Sequence, residues 1–80
     1  EVKVDPNTFV LGIDRNGEFY VDGNRAGRGM VSDAIAKARD ARRPFQISAD
    51  QDTPYRYITE MLTLCRWRGV NNVQLETRKD

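Results

Sequence analysis

The sequence predicts an α+β (α/β) two-layer sandwich, with a mixed sheet built in the order ββαβαβ and both helices on one face. Three observations predict it. Two strand-like runs flank an Asn-Gly turn near the start of the chain, and residues 54–68 have the periodicity of an amphipathic helix. A strand-like run lies on each side of that helix. Every strand alternates apolar and polar residues, so one face of the sheet carries the core and both helices must share it.

Composition bounds the size of the domain and the chemistry open to it. Eighty residues form one small domain, which buries about two-thirds of the surface exposed by its unfolded chain. A net charge of +1 disfavours a nucleic-acid footprint. The chain has no histidine and a single cysteine, Cys65, so it lacks the usual metal ligand and neutral-pH base and has no internal disulfide. Cys65 falls on an apolar helix face and is interpreted as a core residue. We expect no cofactor, no metal and no catalysis.

The first third of the chain predicts an antiparallel hairpin. Residues 1–8 are interpreted as a lead-in or short edge strand, because Pro6 cannot donate to a central ladder. Residues 9–80 are interpreted as the domain. Alternating runs flank residues 14–17 (Asp-Arg-Asn-Gly), and Asn-Gly tolerates the positive φ angles of tight hairpins. Val10 and Tyr20 are predicted on the face away from the helices, as surface residues or as part of a dimer contact.

A loop and a helix follow the hairpin. Residues 23–29 are rich in glycine and arginine and are interpreted as a flexible connector, with Arg25 and Arg28 as a possible anion-binding pair. Residues 30–42 carry small apolar side chains at helical spacing, so this helix should lie close to the sheet. Cations fill its last turns, where the helix dipole favours them, and Pro44 is predicted to end it.

The last third predicts a βαβ unit. Residues 45–49 alternate as a strand, Thr53 is predicted as the N-cap of the next helix, and Pro54 as its first residue. Gly69 provides the stop signal after the helix. Residues 73–77 alternate again and are predicted to run parallel to the preceding strand through a right-handed crossover.

These residues resemble the periplasmic domain of the ExbD/TolR family of biopolymer transport proteins. The family pattern is a strand ending in Ala-Asp (here Asp50), Pro-Tyr opening a helix (Tyr55), Gly-Val after the helix, and a strand ending in Thr77. The hairpin at residues 14–17 also fits, and the likeness covers about residues 9–77. Two features depart from the pattern: the loop at residues 23–29 is longer, and Trp67 replaces a small residue.

The resemblance implies the periplasmic domain of an energy-transduction complex driven by the proton motive force, of the ExbB–ExbD–TonB or TolQ–TolR–TolA type. Such a domain transmits motor output in support of transport across the outer membrane or of its integrity. It implies a homodimer, an ExbB/TolQ-type channel subunit and a TonB/TolA-type protein as partners. It places the chain at the bacterial inner membrane, single-pass, through an N-terminal helix outside this sequence. That helix carries the acidic residue of the proton path. The chain begins at Glu1 without methionine, which fits a longer natural protein.

Strand addition is the expected binding mode, because a sheet edge can pair its backbone with an extended partner segment. The candidate edges are the last strand, with Val73, Leu75 and Thr77, and the lead-in at residues 1–8. Asp50, which belongs to the family signature, is interpreted with Asp52 as an acceptor of backbone N–H groups in the turn rather than as an acid–base pair.

Trp67 and its neighbours are the remaining candidates. Trp67 projects nearly opposite the apolar arc of its helix and is flanked by Arg66 and Arg68, so the three form either a contact surface or an indole folded back over the helix. The alternative function is a stand-alone periplasmic module that binds peptidoglycan or another anionic polymer through Arg25 and Arg28. A nucleic-acid-binding domain is disfavoured by the near-neutral charge and by strands without interleaved aromatic residues.

Overall fold

The computed structural model describes residues 5–79. They form one five-stranded sheet and two helices, and the strand order in the sheet is β3-β2-β1-β4-β5. In chain order the elements are β1 (Phe9–Ile13), β2 (Phe19–Val21), β3 (Asn24–Ala26), α1 (Arg28–Asp40), β4 (Phe45–Asp50), α2 (Tyr55–Trp67) and β5 (Val73–Arg78). The predicted α+β fold and ββαβαβ order are confirmed, with β3 as an additional short strand before α1.

The sheet is mixed, as predicted. β1 and β2 form the antiparallel hairpin, while β4 lies between β1 and β5 and is parallel to both. Apolar side chains of β1, β2 and β4 form one core with side chains of both helices, so both helices cover the same face. The fully or nearly buried members are Phe9, Leu11, Ile13, Phe19, Val31, Ile35, Ala38, Phe45, Ile47, Ala49, Ile58, Met61, Cys65 and Val70.

The hairpin between β1 and β2 needs glycine at one position. Gly17 has φ +83°, whereas Asn16 keeps negative φ, so only one of the two turn residues uses the left-handed region. A Cβ atom built on Gly17 would lie 2.6 Å from the ring of Tyr57 on α2. Asp14 stabilises the turn by accepting the backbone N–H groups of Asn16 and Glu18, each at 2.9 Å. Gly17 therefore serves both turn geometry and the approach of α2.

The connector predicted at residues 23–29 is wrong for its central part, which forms β3. Asp22 and Gly23 have φ +48° and +91°, the two positive values that a two-residue type I′ hairpin turn requires. This turn directs β3 back along β2. Asp-Gly is a strong hairpin signal, but Asn24-Arg25-Ala26 lacks the β-branched and aromatic residues that identify strands in sequence.

The N-terminal lead-in is not an edge of the sheet within the described residues. Residues 5–8 form a turn, in which the backbone N–H of Thr8 donates to the carbonyl of Asp5 at 2.9 Å. Residues 1–4 of the predicted lead-in lie outside the described residues. The edge opposite β5 is β3.

Both helices end in a Schellman motif, but with different residues at the left-handed position. After α2, Gly69 has φ +84° and Val70 N–H donates to Cys65 O, which confirms the predicted glycine stop. After α1, Arg42 takes the same role with φ +57°. The predicted end of α1 at Pro44 is therefore wrong, because the chain leaves the helix at Asp40.

The start of α2 also differs from the prediction. Pro54 occupies the N-cap position rather than the first helical one, and no side chain caps the helix. The hydroxyl of Thr53, predicted as the cap, donates instead to the carbonyl of Ile13 at 3.4 Å. Thr53 thus ties the β4–α2 turn to the end of β1.

Candidate partner-binding site

The open edge of β5 presents the backbone of alternate residues. Gln51 N–H donates to the carbonyl of Arg78 at 2.8 Å, so the backbone of Arg78 is directed toward the β4 side. Successive residues of a strand direct their N–H and C=O groups to opposite sides. Arg78, Glu76 and Gln74 therefore face β4. The remaining residues of β5, namely Val73, Leu75 and Thr77, direct these groups to the open edge.

The same three residues place their side chains on the helix face of the sheet. Val73 pairs with Phe45 in the register of β4, and Phe45 is a core residue. The helices do not cover β5 completely, since Leu75 stays 49% exposed. A cavity of about 110 Å³ lies between α2 and β5, lined by Leu62, Arg66, Val70, Asn71 and Val73. The open backbone edge is therefore bordered by a shallow apolar groove.

The other face of β5 is polar. Gln46 Nε2 donates to the carboxylate of Glu76 at 2.9 Å, and the guanidinium of Arg78 donates to the carbonyl of Ile13 at 3.2 Å. β5 thus has one polar face and one partly apolar face, the alternation that an added strand would have to match.

The opposite edge offers much less backbone. β3 has three residues, of which Asn24 and Ala26 lie opposite Val21 and Phe19. Asp22 N–H donates to the carbonyl of Val10, so Asp22 faces β1 and alternation turns Val21 toward β3. Arg25 is then the one residue of β3 whose backbone is directed outward. Its side chain also lies 3.4 Å from the carboxylate of Glu18.

The two arginines predicted for anion binding already have carboxylate partners. Arg25 and Arg28 line one hollow of about 250 Å³ beside Gly27, but Arg25 pairs with Glu18. Arg28 binds Glu60 through two nitrogens, and its guanidinium lies 4.5 Å from the centre of the Phe19 ring. The hydrogen bond from Arg28 lowers the pKa of Glu60, and the same bond raises the pKa of Arg28. These charges tie elements of the domain together.

Asp50 lies in the turn after β4 as a hydrogen-bond acceptor. It is 6% exposed, its Oδ1 accepts the backbone N–H of Asp52 at 2.8 Å, and its Oδ2 lies 3.4 Å from Arg15. Asp50 thus has the contacts of a side chain that accepts a backbone N–H group within the turn. Within residues 5–79, no cluster of three or more His, Cys, Asp or Glu side chains is placed to hold a metal ion.

The structure separates the three residues at the end of α2. Trp67 is 78% exposed, and its indole makes no ring contact with the other described aromatic residues. Arg68 points toward α1, where its guanidinium donates to Ser32 Oγ at 2.8 Å and lies 3.5 Å from Asp33. Arg66 is exposed and borders the cavity beside β5. Trp67 and Arg66 are therefore surface groups, while Arg68 joins the helices.

The helix-free face of the sheet has a hollow of about 380 Å³ lined by Val10, Gly12, Asp14, Tyr20, Gly23, Ser48 and Arg78. Val10 and Tyr20 therefore lie where the alternation predicts. Tyr20 donates its hydroxyl to Asp14 at 3.0 Å, and this bond raises the pKa of the phenol. In the core, burial raises the pKa of the Cys65 thiol to about 11, so Cys65 stays protonated and packs as a small apolar residue.

Comparison with known proteins identifies the family. A family model described as biopolymer transport protein ExbD/TolR matches residues 1–80. The chain belongs to the ExbD/TolR family. No curated protein matches it. ExbD/TolR proteins are non-enzymatic transport accessories that generally work with ExbB/TolQ and TonB/TolA proteins and are typically anchored in the inner membrane. In this ExbD/TolR chain, neither described helix has the length and apolar character needed to cross a bilayer.

Sequence reasoning found β5 but missed what borders it. Leu62 belongs to the apolar stripe of the amphipathic helix predicted at residues 54–68, yet it is only half-buried and lines the cavity together with Val70. Helical periodicity does not show which side of an apolar arc meets an edge strand rather than a central one. The Arg28–Glu60 pair was also missed, because its members are 32 residues apart.

Proposed function

We propose that this ExbD/TolR chain is the periplasmic domain of an energy-transduction complex driven by the proton motive force. In this proposal residues 9–80 form the domain, and residues 1–8 link it to an N-terminal membrane-spanning helix outside the sequence. The helix joins an ExbB/TolQ-type channel. The domain passes motor output to a TonB/TolA-type protein and performs no chemistry.

The open edge of β5 supports this proposal most directly. Three alternate residues with outward backbone groups can form a ladder with an extended segment, and each of the resulting hydrogen bonds contributes about 0.5–1.5 kcal/mol. Leu75 and the neighbouring cavity offer a place for apolar side chains of the added strand. The partner segment should therefore alternate, with apolar residues facing α2 and polar residues facing Gln74 and Glu76.

The same edge suits pairing with a second copy. If two β5 strands run antiparallel about a twofold axis at Leu75, then Leu75 faces Leu75 and Val73 faces Thr77. All of these residues direct their backbone groups outward, so the ladder is complete. On the polar face Glu76 lies opposite Gln74, and no like charges face each other directly. We propose this pairing as the homodimer contact.

Partner binding and this homodimer exclude each other. β4 occupies one side of β5, so each copy has one open side. A TonB/TolA-type segment can therefore add only to a copy whose β5 is released from the dimer, and raising the protein concentration should weaken partner binding.

A titration with a Leu75→Pro variant tests strand addition. Proline removes the outward N–H of residue 75 but leaves the bonds of Gln74 and Glu76 to β4, as edge positions allow. A synthetic peptide with the extended sequence of a TonB/TolA-type linker is titrated into isotope-labelled domain. We expect amide shift changes along β5 in the parent domain and at least about tenfold weaker binding in Leu75→Pro.

The matched control is Leu75→Thr, which truncates the same side chain but keeps the N–H. It should keep most of the affinity that Leu75→Pro loses. Equal losses in both variants, with thermal unfolding midpoints like the parent's, would assign binding to the side chain and reject backbone pairing. Shift changes confined to the Arg25–Arg28 hollow would support the alternative function as an anion-binding module.

A further inference from the structure

The outward face of α2 has an unusual composition for the surface of a small domain. At 3.6 residues per turn, six of its residues fall within an arc of about 120° opposite the buried Met61. They are Tyr55, Arg56, Thr59, Thr63, Arg66 and Trp67, which we call the aromatic–arginine face. Tyr55 is 72% exposed and Trp67 78% exposed. The face therefore presents a large aromatic side chain at each end of the helix.

The two threonines between the aromatic residues satisfy their own hydroxyl donors. Thr59 Oγ1 donates to the carbonyl of Tyr55 at 3.1 Å, and Thr63 Oγ1 donates to the carbonyl of Thr59 at 2.9 Å. Because these hydroxyl groups bond back to the helix, neither has a donor left for a ligand. The donors left for a ligand on this face belong to the guanidinium groups, the indole and the phenol.

The two arginines of the face differ from Arg28 and Arg68, which link α1 and α2. Among the described residues, neither Arg56 nor Arg66 has a carboxylate within ion-pair distance, whereas Arg28 and Arg68 pair with Glu60 and Asp33. The guanidinium of Arg56 lies over the ring of Tyr57, 4.8 Å from its centre. The aromatic–arginine face thus carries two uncompensated positive charges and no acidic residue, which favours an anionic, acceptor-rich surface as its ligand.

The spacing of the aromatic rings distinguishes between an acidic protein and a lipid surface. Tyr55 and Trp67 are twelve residues apart, or about 18 Å along the helix. Energetic centres of protein interfaces are clusters of neighbouring anchors, and threonines separate these two rings. Single amphipathic rings at the ends of a helix, with arginines between them, are typical of helices that lie in the headgroup layer of a bilayer.

We propose that the aromatic–arginine face docks on anionic lipid headgroups at a bilayer surface. α2 lies parallel to the surface, the guanidinium groups of Arg56 and Arg66 bind lipid phosphates, and the rings of Tyr55 and Trp67 enter the headgroup layer. The contact does not use the backbone edge of β5, so lipid docking and strand addition can be tested independently. It would orient the sheet relative to the bilayer.

Trp67 is the only tryptophan of the chain and serves as a built-in probe. The domain is titrated with vesicles of equal parts phosphatidylglycerol and phosphatidylcholine, and tryptophan emission is recorded. We expect a blue shift that saturates with lipid, reverses at high salt, and is absent with vesicles of phosphatidylcholine alone. The charge dependence follows from the attraction of arginine to anionic headgroups, worth on the order of fivefold in affinity per residue.

Two double variants with the same change of net charge separate site binding from general attraction. Arg56→Gln/Arg66→Gln keeps the tryptophan probe and should bind about 25-fold more weakly, because each arginine contributes about fivefold in affinity. Lys37→Gln/Arg42→Gln removes two exposed cations elsewhere and should bind as the parent does. Unshifted emission on anionic vesicles, or equal loss in both variants, overturns the proposal. A blue shift with polyglutamate but not with vesicles also overturns it, in favour of an acidic protein surface.

Discussion

The two edges of the sheet differ in how much backbone they leave open and in how they are built. β5 is six residues long and directs three of them outward, whereas β3 is three residues long and directs only Arg25 outward. β3 follows from two tight turns close in sequence, while β5 reaches its place through the crossover helix α2. Short, charged edges resist the addition of another strand, and long alternating ones invite it. The fold therefore closes one edge and leaves the other available.

The largest effect on stability is expected at Gly17, in the turn that joins β1 to β2 on the way to β3. In Gly17→Ala the new side chain must adopt a left-handed backbone and meets the Tyr57 ring, so stability should fall by about 2 kcal/mol. Gly23→Ala is the control: it has the same backbone demand but open space, and should cost about 1 kcal/mol. Chemical denaturation measures both. Equal losses of stability in the two variants would show that the contact with Tyr57 on α2 does not restrict residue 17.

Acid should lower the stability of the domain through two carboxylates, Glu60 and Asp14. The hydrogen bond from Arg28 lowers the pKa of Glu60. Burial opposes a lower pKa at Asp14, but hydrogen bonds from Glu18, Tyr20 and Asn16 outweigh it. A lowered folded pKa stabilises the fold above the ordinary values of 4.5 and 3.8, and this contribution is lost as pH falls below them.

Thermal unfolding midpoints between neutral and acidic pH measure this loss. The variant Asp14→Ala/Glu60→Gln should be less stable at neutral pH and show a flatter acid dependence. An acid dependence as steep as the parent's would mean that carboxylates other than Asp14 and Glu60 are responsible for the acid sensitivity.

A smaller, favourable change is expected at the end of α1, which joins β3 to β4. Arg42 occupies the left-handed position that glycine fills after α2, so Arg42→Gly should stabilise the domain by about 0.5–1 kcal/mol. Arg42→Ala keeps the backbone demand and should bring no such gain. Neither substitution touches β5, and a change in partner affinity in either variant would show that the two edges are coupled.

The smallest effect is expected at the β3 edge itself. Arg25→Pro removes the outward N–H of that strand, as Leu75→Pro does for β5, and partner affinity should stay within about twofold of the parent's. Heteronuclear correlation spectra verify that the sheet is intact. A loss comparable to that of Leu75→Pro would remove the functional difference between the edges.

Much of the β5 half could be predicted because its signals are local. The alternation of residues 45–49 and 73–77, the apolar arc of α2 and the stop at Gly69 each lie within a short window of sequence. The turn at Asp22 and Gly23 was also a local signal, but the weak strand propensity of Asn24–Ala26 concealed β3. The turn therefore decided the structure of these residues in spite of their low strand propensity. A strand of three residues can pair with β2 through its backbone and needs little from its side chains.

Local sequence patterns are enough to predict the type of most elements, the parallel βαβ unit and most of the buried positions of both helices, because periodicity and chain chirality act over neighbouring residues. Packing in three dimensions sets the remaining features: β3 forms the edge opposite β5, Thr53 bonds Ile13 instead of capping α2, and certain arginines find a carboxylate. These outcomes depend on segments that meet only when the helices pack on the sheet, and so on distances that no local pattern encodes.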